Sequence, residues 1–220
     1  MNPLQLKQLE FGSFLSYDPH GSTQNATISR KIIPPLKQDL PLGQPPILMS
    51  EWIVKRICEI MNSLKFYALF ESKPLLVPVP KSSLMDEGTL WVPKRIADAF
   101  EKQGCGTVAT YLTRVKPLSK SSTSSSGARP DAQQHYDSLA VQETLVKPER
   151  DILLIDDVIT RGAAFLGSAN RLANTFPDCR IRGGFAVMRT MGYLKPFVKI
   201  EDPCMGHIFL DDNGKLTRYP

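Results

Sequence analysis

One short segment strongly limits the fold of this chain, an apolar run at residues 152–155 that is followed by two aspartates. The run reads Ile-Leu-Leu-Ile and lacks the polar and apolar alternation of a strand with one solvated face. Four consecutive apolar residues are typical of a strand that is buried on both faces, as in a parallel sheet covered by helices. The segment therefore predicts an α/β protein with helices on either side of a sheet.

Helical and strand patterns alternate around this run, from residue 50 to residue 190. Ser50 is predicted as the N-cap of a helix whose apolar residues recur at helical spacing, and Pro78 and Pro80 predict that the next strand ends at about Val79. The remaining predicted elements are a helix that contains Val92, Ile96 and Phe100 and ends at Gly104 or Gly106, a strand region at 107–115, a helix after Gly162 and a strand at 181–188. This order predicts a doubly wound α/β fold with a mostly parallel sheet.

The pattern divides the chain into three parts. Residues 1–45 combine aromatic residues with several prolines and lack a clear periodicity, so they are predicted to form an N-terminal extension or hood that packs on the core. Residues 46–200 carry the α/β core, and residues 201–220 form a C-terminal strand or tail. Within the core, residues 116–142 are rich in Ser, Thr, Gly and Pro, which is typical of a mobile functional loop or of a disordered linker.

Composition narrows the class of protein. The 220 residues include 27 Lys and Arg against 22 Asp and Glu, and this net charge of +5 suits an anionic ligand without requiring nucleic acid. No apolar run reaches the length of about 18 residues that a membrane span needs, and the first residues lack the apolar core of a secretory signal. A cytoplasmic protein without membrane attachment is therefore expected. The four cysteines are scattered, which argues against a structural zinc site.

The turn that follows the apolar run has the features of a site for a phosphorylated sugar. Asp156 and Asp157 come at the end of the predicted strand, and ligands bind beyond the carboxyl ends of parallel strands. The helix that begins after Gly162 presents backbone N–H groups to a phosphate, and the Thr160 hydroxyl adds a donor. The two carboxylates suit sugar hydroxyls on one side and a metal ion or its waters on the other.

Residues 152–164, ILLIDDVITRGAA, resemble the signature of the type I phosphoribosyltransferases, and the competence-protein-F-like and amidophosphoribosyltransferase-like branch is the most similar in pattern. Residues 77–82 are similar to the family's pyrophosphate loop, and residues 112–115 are similar to a basic strand end. This family binds 5-phosphoribosyl-1-pyrophosphate (PRPP) with Mg²⁺. Two positions depart from the signature, because Arg161 replaces a hydroxyl residue and Ala164 replaces a threonine.

The resemblance implies a role for each group of residues. Asp156 and Asp157 would hold the ribose hydroxyls and, through PRPP or water, the Mg²⁺ ion. The other implied roles are 5′-phosphate binding by Thr160, Arg161, Gly162, Ala163 and Ala164, and pyrophosphate binding by Lys81, Ser82 and Arg114. Residues 116–142 resemble the family's mobile loop, whose functional side chains would be Lys120, Arg129 and His135. The side chains expected to act in catalysis are those of Asp156, Asp157, Lys81 and Arg114.

The implied activity is transfer of phosphoribose from PRPP to a nitrogen nucleophile, a base or an amine, with release of pyrophosphate. A second interpretation is a non-catalytic regulator that binds PRPP or a nucleotide, or an effector subunit of a bacterial defence or competence assembly, because the signature departs at Arg161 and Ala164. Nucleic-acid binding is a third interpretation, drawn from Arg114, Lys116 and Lys120, although no aromatic residues are interleaved with them. The sequence leaves open the acceptor and whether the chain forms a homodimer or a larger assembly.

Overall fold

The computed structural model describes residues 4–118, 129–142, 151–191 and 197–220. The strands are β1 (Gln8–Tyr17), β2 (Pro41–Leu42), β3 (Ile47–Leu48), β4 (Leu75–Pro78), β5 (Thr107–Val108), β6 (Leu112–Arg114), β7 (Leu139–Val141), β8 (Ile152–Ile159), β9 (Ile181–Thr190), β10 (Glu201–Leu210) and β11 (Leu216–Tyr219). The α-helices are α1 (Gln24–Gln38), α2 (Met49–Ile60), α3 (Val92–Lys102), α4 (Ala132–Asp137) and α5 (Ala163–Thr175). Two short 3₁₀ helices, Met61–Ser63 and Lys65–Leu69, follow α2.

Seven of the described strands form the central sheet, in the order β11-β10-β1-β9-β8-β4-β5. The five neighbouring strands β1, β9, β8, β4 and β5 run parallel to one another. At one edge of the sheet, β10 and β11 are antiparallel to their neighbours. The pairs β2 with β3 and β6 with β7 form small antiparallel ladders outside this sheet. The prediction of an α/β protein with a mostly parallel sheet is therefore confirmed.

Both faces of the sheet are covered by helices, as the apolar run at 152–155 predicts. Along β8, the side chains of Ile152 and Leu154 pack with α4 and α5, whereas those of Leu153 and Ile155 pack with α2 and α3. All four residues are fully buried. Because removal of apolar surface from water is the main force that drives folding, burial on both sides fixes β8 in the interior of the sheet.

The N-terminal region differs from the expectation of an irregular hood. β1 lies inside the sheet between β9 and β10, and Phe11 and Phe14 are buried on its opposite faces. The expectation is wrong for residues 8–17 because the partners that order this strand are distant in the chain, since Phe11 pairs with both Gly184 and Gly206. Strand formation depends strongly on such neighbours and leaves a weak local signature.

A buried carboxylate, that of Asp39, joins three helices. Asp39 follows the last turn of α1 in the left-handed conformation, with φ 48°. Its Oδ1 atom accepts the Ser50 N–H at 2.8 Å, and its Oδ2 atom accepts from Arg95 of α3 at 2.9 Å. The prediction that Ser50 is the N-cap of its helix is wrong, because α2 begins at Met49 and a carboxylate from another part of the chain binds its first turn.

Part of the segment that the sequence predicts as a loop has regular structure. α4 and β7 lie within it, and α4 begins with a capping box. Asp131 Oδ1 accepts the Gln134 N–H at 2.7 Å, and Gln134 Oε1 accepts the Asp131 N–H at 2.9 Å. The structure therefore differs from the loop prediction at residues 132–137 and 139–141, and the spacing of Asp131 and Gln134 is the signal that predicts a helix start.

Candidate functional site

The carboxyl ends of β4 and β8 form a notch in the sheet. β4 pairs with β8 as far as Pro78, which lies opposite Ile155. β8 continues to Ile159 along β9. Asp156 and Asp157 therefore lie within the strand, at the point where its neighbour stops, and not at the strand end that the sequence predicts. We call this place, where β8 extends beyond β4, the notch.

The acidic pair, Asp156 and Asp157, is shaped by its own backbone and by one cation. The Asp157 N–H donates to Asp156 Oδ1 at 2.8 Å, and the Val158 N–H donates to Asp157 Oδ1 at 2.7 Å. The Lys37 ammonium of α1 lies 3.2 Å from Asp157 Oδ2. The Asp157 side chain is 15% exposed and that of Lys37 is 46% exposed, so solvent reaches the pair beside Lys37.

The surroundings of the acidic pair shift the pKa values of Asp156 and Lys37. Burial raises the pKa of Asp156 well above its usual range, and the negative charge of Asp157 raises it further, while Lys37 acts in the opposite direction. For Lys37, burial lowers the pKa, but the attraction of Asp157 and Asp156 outweighs burial, so its pKa is raised overall. Asp156 therefore favours a proton more than an ordinary aspartate does.

Arg114 binds the loop that follows β4. Its Nε donates to the Lys81 carbonyl at 2.8 Å, its Nη2 donates to the Pro80 carbonyl at 3.1 Å, and its Nη1 donates to the Ser138 hydroxyl. Arg114 is 5% exposed, and burial lowers its pKa to about 10 against the attraction of Asp156. These contacts fix the backbone of residues 80 and 81, whereas the resemblance implies direct contact of Arg114 with pyrophosphate.

Lys81 and Ser82 lie on the same side of the notch as Arg114. The Lys81 side chain is exposed, and Ser82 is half-buried. The Ser82 carbonyl accepts the Leu118 N–H at 2.8 Å, so this loop is held from two directions. A fixed backbone that carries an exposed ammonium is suited to an anionic group such as pyrophosphate.

The turn between β8 and α5 requires glycine at position 162. Gly162 adopts φ +92°, a left-handed conformation that other residues disfavour, and a Cβ atom there would lie 2.6 Å from Ile208 Cδ1. The packing of the fold therefore explains this glycine even without a ligand. The half-buried residues around it are Thr160, Arg161 and Ala164, and Ala163 is buried. Together with the first N–H groups of α5, they form the predicted phosphate-binding turn.

Two of the three side chains assigned to the mobile loop, His135 and Arg129, lie within the described residues. His135 lies in α4 and is 7% exposed, and its Nδ1 atom has no hydrogen-bond partner among the described residues. Burial, together with the positive charges of Arg114 and Arg161, lowers the pKa of His135 to about 3. The Arg129 carbonyl accepts from Arg161 Nη2 at 3.3 Å. Lys120 lies outside the described residues. His135 is thus a neutral interior group, and Arg129 is joined to the turn after β8.

Lys37 is a residue of the notch that the sequence pattern does not indicate. It reaches Asp157 from α1, a helix that was not predicted. Thr23 is the signal for this helix, because its hydroxyl accepts the Ala26 N–H at 3.2 Å as an N-cap. Because Pro34 and Pro35 lie inside this helix, its sequence does not read as helical.

No protein-family model matches this chain, and no curated protein matches its sequence. In the four described ranges, no group of three or more His, Cys, Asp or Glu residues is arranged to hold a metal ion. The helices in those ranges are all too short or too polar to cross a membrane. The functional assignment therefore depends on the chemistry of the notch and on the signature residues that surround it.

Proposed function

We propose that this protein binds PRPP with Mg²⁺ at the notch and transfers the phosphoribosyl group to a nitrogen nucleophile, with release of pyrophosphate. The position of the acidic pair is the observation that carries the proposal. Asp156 and Asp157 lie where β4 stops beside β8, and the turn at Gly162 that begins α5 follows directly. Carboxylates suited to sugar hydroxyls and helix N–H groups suited to a phosphate are thus separated by one turn, as they must be for a ribose 5-phosphate.

The two aspartates of the acidic pair bind the ribose in different ways. Asp157 accepts a hydrogen bond from one hydroxyl, and Asp156, whose pKa is raised by burial and by Asp157, is able to donate its proton to a sugar oxygen. In the structure the Lys37 ammonium is paired with the Asp157 carboxylate, but the Lys37 side chain is 46% exposed. Lys37 therefore has room to turn from the carboxylate toward a phosphate when the ribose binds.

The opposite side of the notch stabilises the leaving group. Negative charge develops on pyrophosphate as the bond to the anomeric carbon breaks, and fixed positive charge and N–H groups stabilise it. Lys81 and Ser82 supply these groups from a loop that Arg114 holds in place. The residues of the turn at 160–164 hold the 5′-phosphate, so that the sugar is gripped at both ends.

The acidic pair also fits a magnesium ion that is bound mainly through the ligand. Mg²⁺ is commonly held by one or two carboxylates together with phosphate oxygens and water. Asp157 offers one such carboxylate, and Asp156 offers a second when the charge of the metal displaces its proton. When bound with PRPP, Mg²⁺ supplies charge neutralisation at the phosphoryl oxygens. Because the described residues offer no larger ligand cluster, we expect Mg²⁺ to bind weakly unless PRPP is present.

A non-catalytic protein that binds PRPP or a nucleotide is the second candidate function. Two observations favour it: Arg161 and Ala164 lack the hydroxyl donors of the signature, and the donors of Arg114 are directed at the carbonyls of Pro80 and Lys81. Such a protein would bind the same ligand at the same residues without turnover, as a regulator or as an effector subunit of a bacterial assembly.

Titration with PRPP, followed by thermal shift and calorimetry, tests the binding site. We expect PRPP to raise the melting temperature in the presence of Mg²⁺ and to have little effect without it. Asp157→Asn should remove this shift. Asp151→Asn is the matched control, because Asp151 also forms an ion pair, with Arg182 at 2.9 Å, but precedes the opposite end of β8. A PRPP shift that survives in Asp157→Asn would contradict the proposal.

Pyrophosphate release separates the two candidate functions. The protein is incubated with PRPP, Mg²⁺ and a panel of nucleobases and amines, and released pyrophosphate is measured. Release that depends on one acceptor and is lost in Asp157→Asn supports the transferase. Binding of PRPP without release for any acceptor supports the non-catalytic protein.

A further inference from the structure

Two cysteines that are distant in the sequence meet on the helical layer that contains α2 and α3. Cys58 lies in α2, and Cys105 lies between α3 and β5. Their Sγ atoms are 3.6 Å apart, and both residues are half-buried thiols. A disulfide has a sulfur separation of about 2.05 Å, so a movement of about 1.5 Å, shared by two side chains, is enough to join them.

The surroundings make the two sulfurs unequal. The hydrogen bond between the two thiols lowers the pKa of Cys105, and Lys73 adds to this effect, although burial opposes it. The same hydrogen bond and burial raise the pKa of Cys58. Since the thiolate is the reactive form of cysteine, Cys105 is the nucleophile of the pair and Cys58 is the partner that retains its proton.

We propose that Cys58 and Cys105 form an oxidative modification site, at which a hydroperoxide converts the two thiols into a reversible disulfide. In the first step, the Cys105 thiolate attacks the peroxide, the O–O bond breaks, and Cys105 becomes a sulfenic acid while the peroxide leaves as an alkoxide or hydroxide that takes up a proton. In the second step, Cys58 loses its proton and attacks the Cys105 sulfur, so that the S–S bond forms and water leaves. The two thiols together lose two electrons and two protons.

The disulfide would add a covalent bond between parts of the fold that are now joined by noncovalent contacts. Cys58 and Cys105 are 47 positions apart, so the bond closes a long loop and restricts the unfolded chain more than the folded one. We therefore expect the oxidised protein to melt at a higher temperature than the reduced protein. This inference does not depend on the proposed function, because it uses neither the acidic pair nor the loop at 80–82.

Oxidation of the full chain tests the proposal. The reduced protein is treated with a small excess of hydrogen peroxide, and the remaining thiols are labelled with a maleimide before mass analysis. We expect the loss of two reactive thiols, a peptide that joins Cys58 to Cys105, and full recovery of both thiols after treatment with dithiothreitol. Thiols that stay reactive, or crosslinks that form mainly between molecules, would overturn the proposal.

Single substitutions identify the roles of the two sulfurs. In Cys58→Ser, oxidation should stop at a Cys105 sulfenic acid that dimedone captures, and Cys105→Ser should oxidise more slowly at Cys58. Cys179→Ser and Cys204→Ser are the matched controls, because these thiols are also half-buried, and both should still form the disulfide. Capture of the sulfenic acid at Cys58 in place of Cys105 would contradict the assigned order of the steps.

Discussion

The two sides of the notch hold their charged groups in different ways. On the acidic side, Asp156 and Asp157 belong to a strand that pairs with β9 and is buried under helices, so the functional groups themselves are fixed. On the basic side, the Lys81 side chain is exposed, and Arg114 fixes only the backbone that carries it. The carboxylates of the acidic side are thus preorganised, whereas the long side chain of the basic side is free to adjust to a partner.

Burial also has opposite consequences on the two sides. On the acidic side, it favours the protonated, neutral form of Asp156. On the basic side, it lowers the pKa of Arg114, and it does the same for His135 of α4, which feels the charge of Arg114, so that it favours the unprotonated forms of both. The cause is the same in both places, because a buried site disfavours charge of either sign. A rise in pH should therefore lower the free energy of unfolding through Asp156 and raise it through His135.

The largest expected effect is that of Arg114→Met. It leaves the carbonyls of Pro80 and Lys81 and the Ser138 hydroxyl without their donor, and we expect the free energy of unfolding to fall by about 3 kcal/mol. Urea denaturation measures this change. Lys81→Met is the control, because it removes an exposed charge and should change stability by about 0.5 kcal/mol or less while it weakens PRPP binding. Equal losses of stability in the two variants would show that Arg114 does not hold the loop.

His135→Gln should change how stability depends on acid. The folded-state pKa of His135 is about 3, below the usual value of about 6.5, so the unfolded chain takes up the proton first. This contribution to stability is complete above pH of about 6.5 and is lost as the pH falls toward 3, at up to about 1.4 kcal/mol per pH unit. Urea denaturation across this range should show a shallower decline in His135→Gln. A decline that is as steep as in the wild type would place the titrating group elsewhere.

Asp156→Asn should have the opposite pH dependence. The pKa of Asp156 is raised in the folded state, so its contribution to stability is complete below the unfolded-state pKa of about 3.9 and is lost as the pH rises through the folded-state value. The asparagine variant does not titrate and should be favoured relative to the wild type at higher pH. The same urea titrations measure this difference. Asp151→Asn is the control, because Asp151 contacts Arg182 and the exposed Ser72 and lies away from the acidic pair. This variant should keep the pH dependence of stability that the wild type shows.

Lys37→Met should have the smallest effect on stability. The Lys37 side chain is 46% exposed, and ion pairs at exposed positions contribute about 0.5 kcal/mol. The loss of its positive charge should nevertheless raise the pKa of Asp156 further, so that the decline assigned to Asp156 occurs at higher pH. Lys31→Met, an exposed lysine on the same helix, should leave that decline unchanged. A loss of stability as large as that of Arg114→Met would show that Lys37 is essential to the fold.

The core of the fold was predictable because its signals are local. Residues 152–155 are four consecutive apolar residues, the pattern of a strand that is buried on both faces. Gly162 marks the start of α5 a few residues later. β1 was not predictable, because Phe11 depends on strands near residues 184 and 206. Regular alternation of elements can be recognised in a sequence, whereas pairing between distant segments cannot.

The candidate site shows the same division. Asp156, Asp157 and the turn at 160–164 follow one another in the chain, so their proximity follows from the sequence. Lys37 meets Asp157 only because α1 packs across the sheet, and Arg114 meets Pro80 and Lys81 only because β6 lies beside the loop after β4. The sequence reveals which groups are present, but the direction in which a long basic side chain points is decided by tertiary packing.

The place of β1 in the sheet has a consequence for biosynthesis. Phe11 pairs with Gly184 and Gly206, so neither flanking strand exists while the ribosome is still translating the middle of the chain. β1 therefore remains unpaired, with its aromatic side chains exposed, until β9 and β10 have been synthesised, and the sheet is completed late. Contacts of such long sequence separation slow folding, and exposed apolar segments on nascent chains are the usual ligands of chaperones.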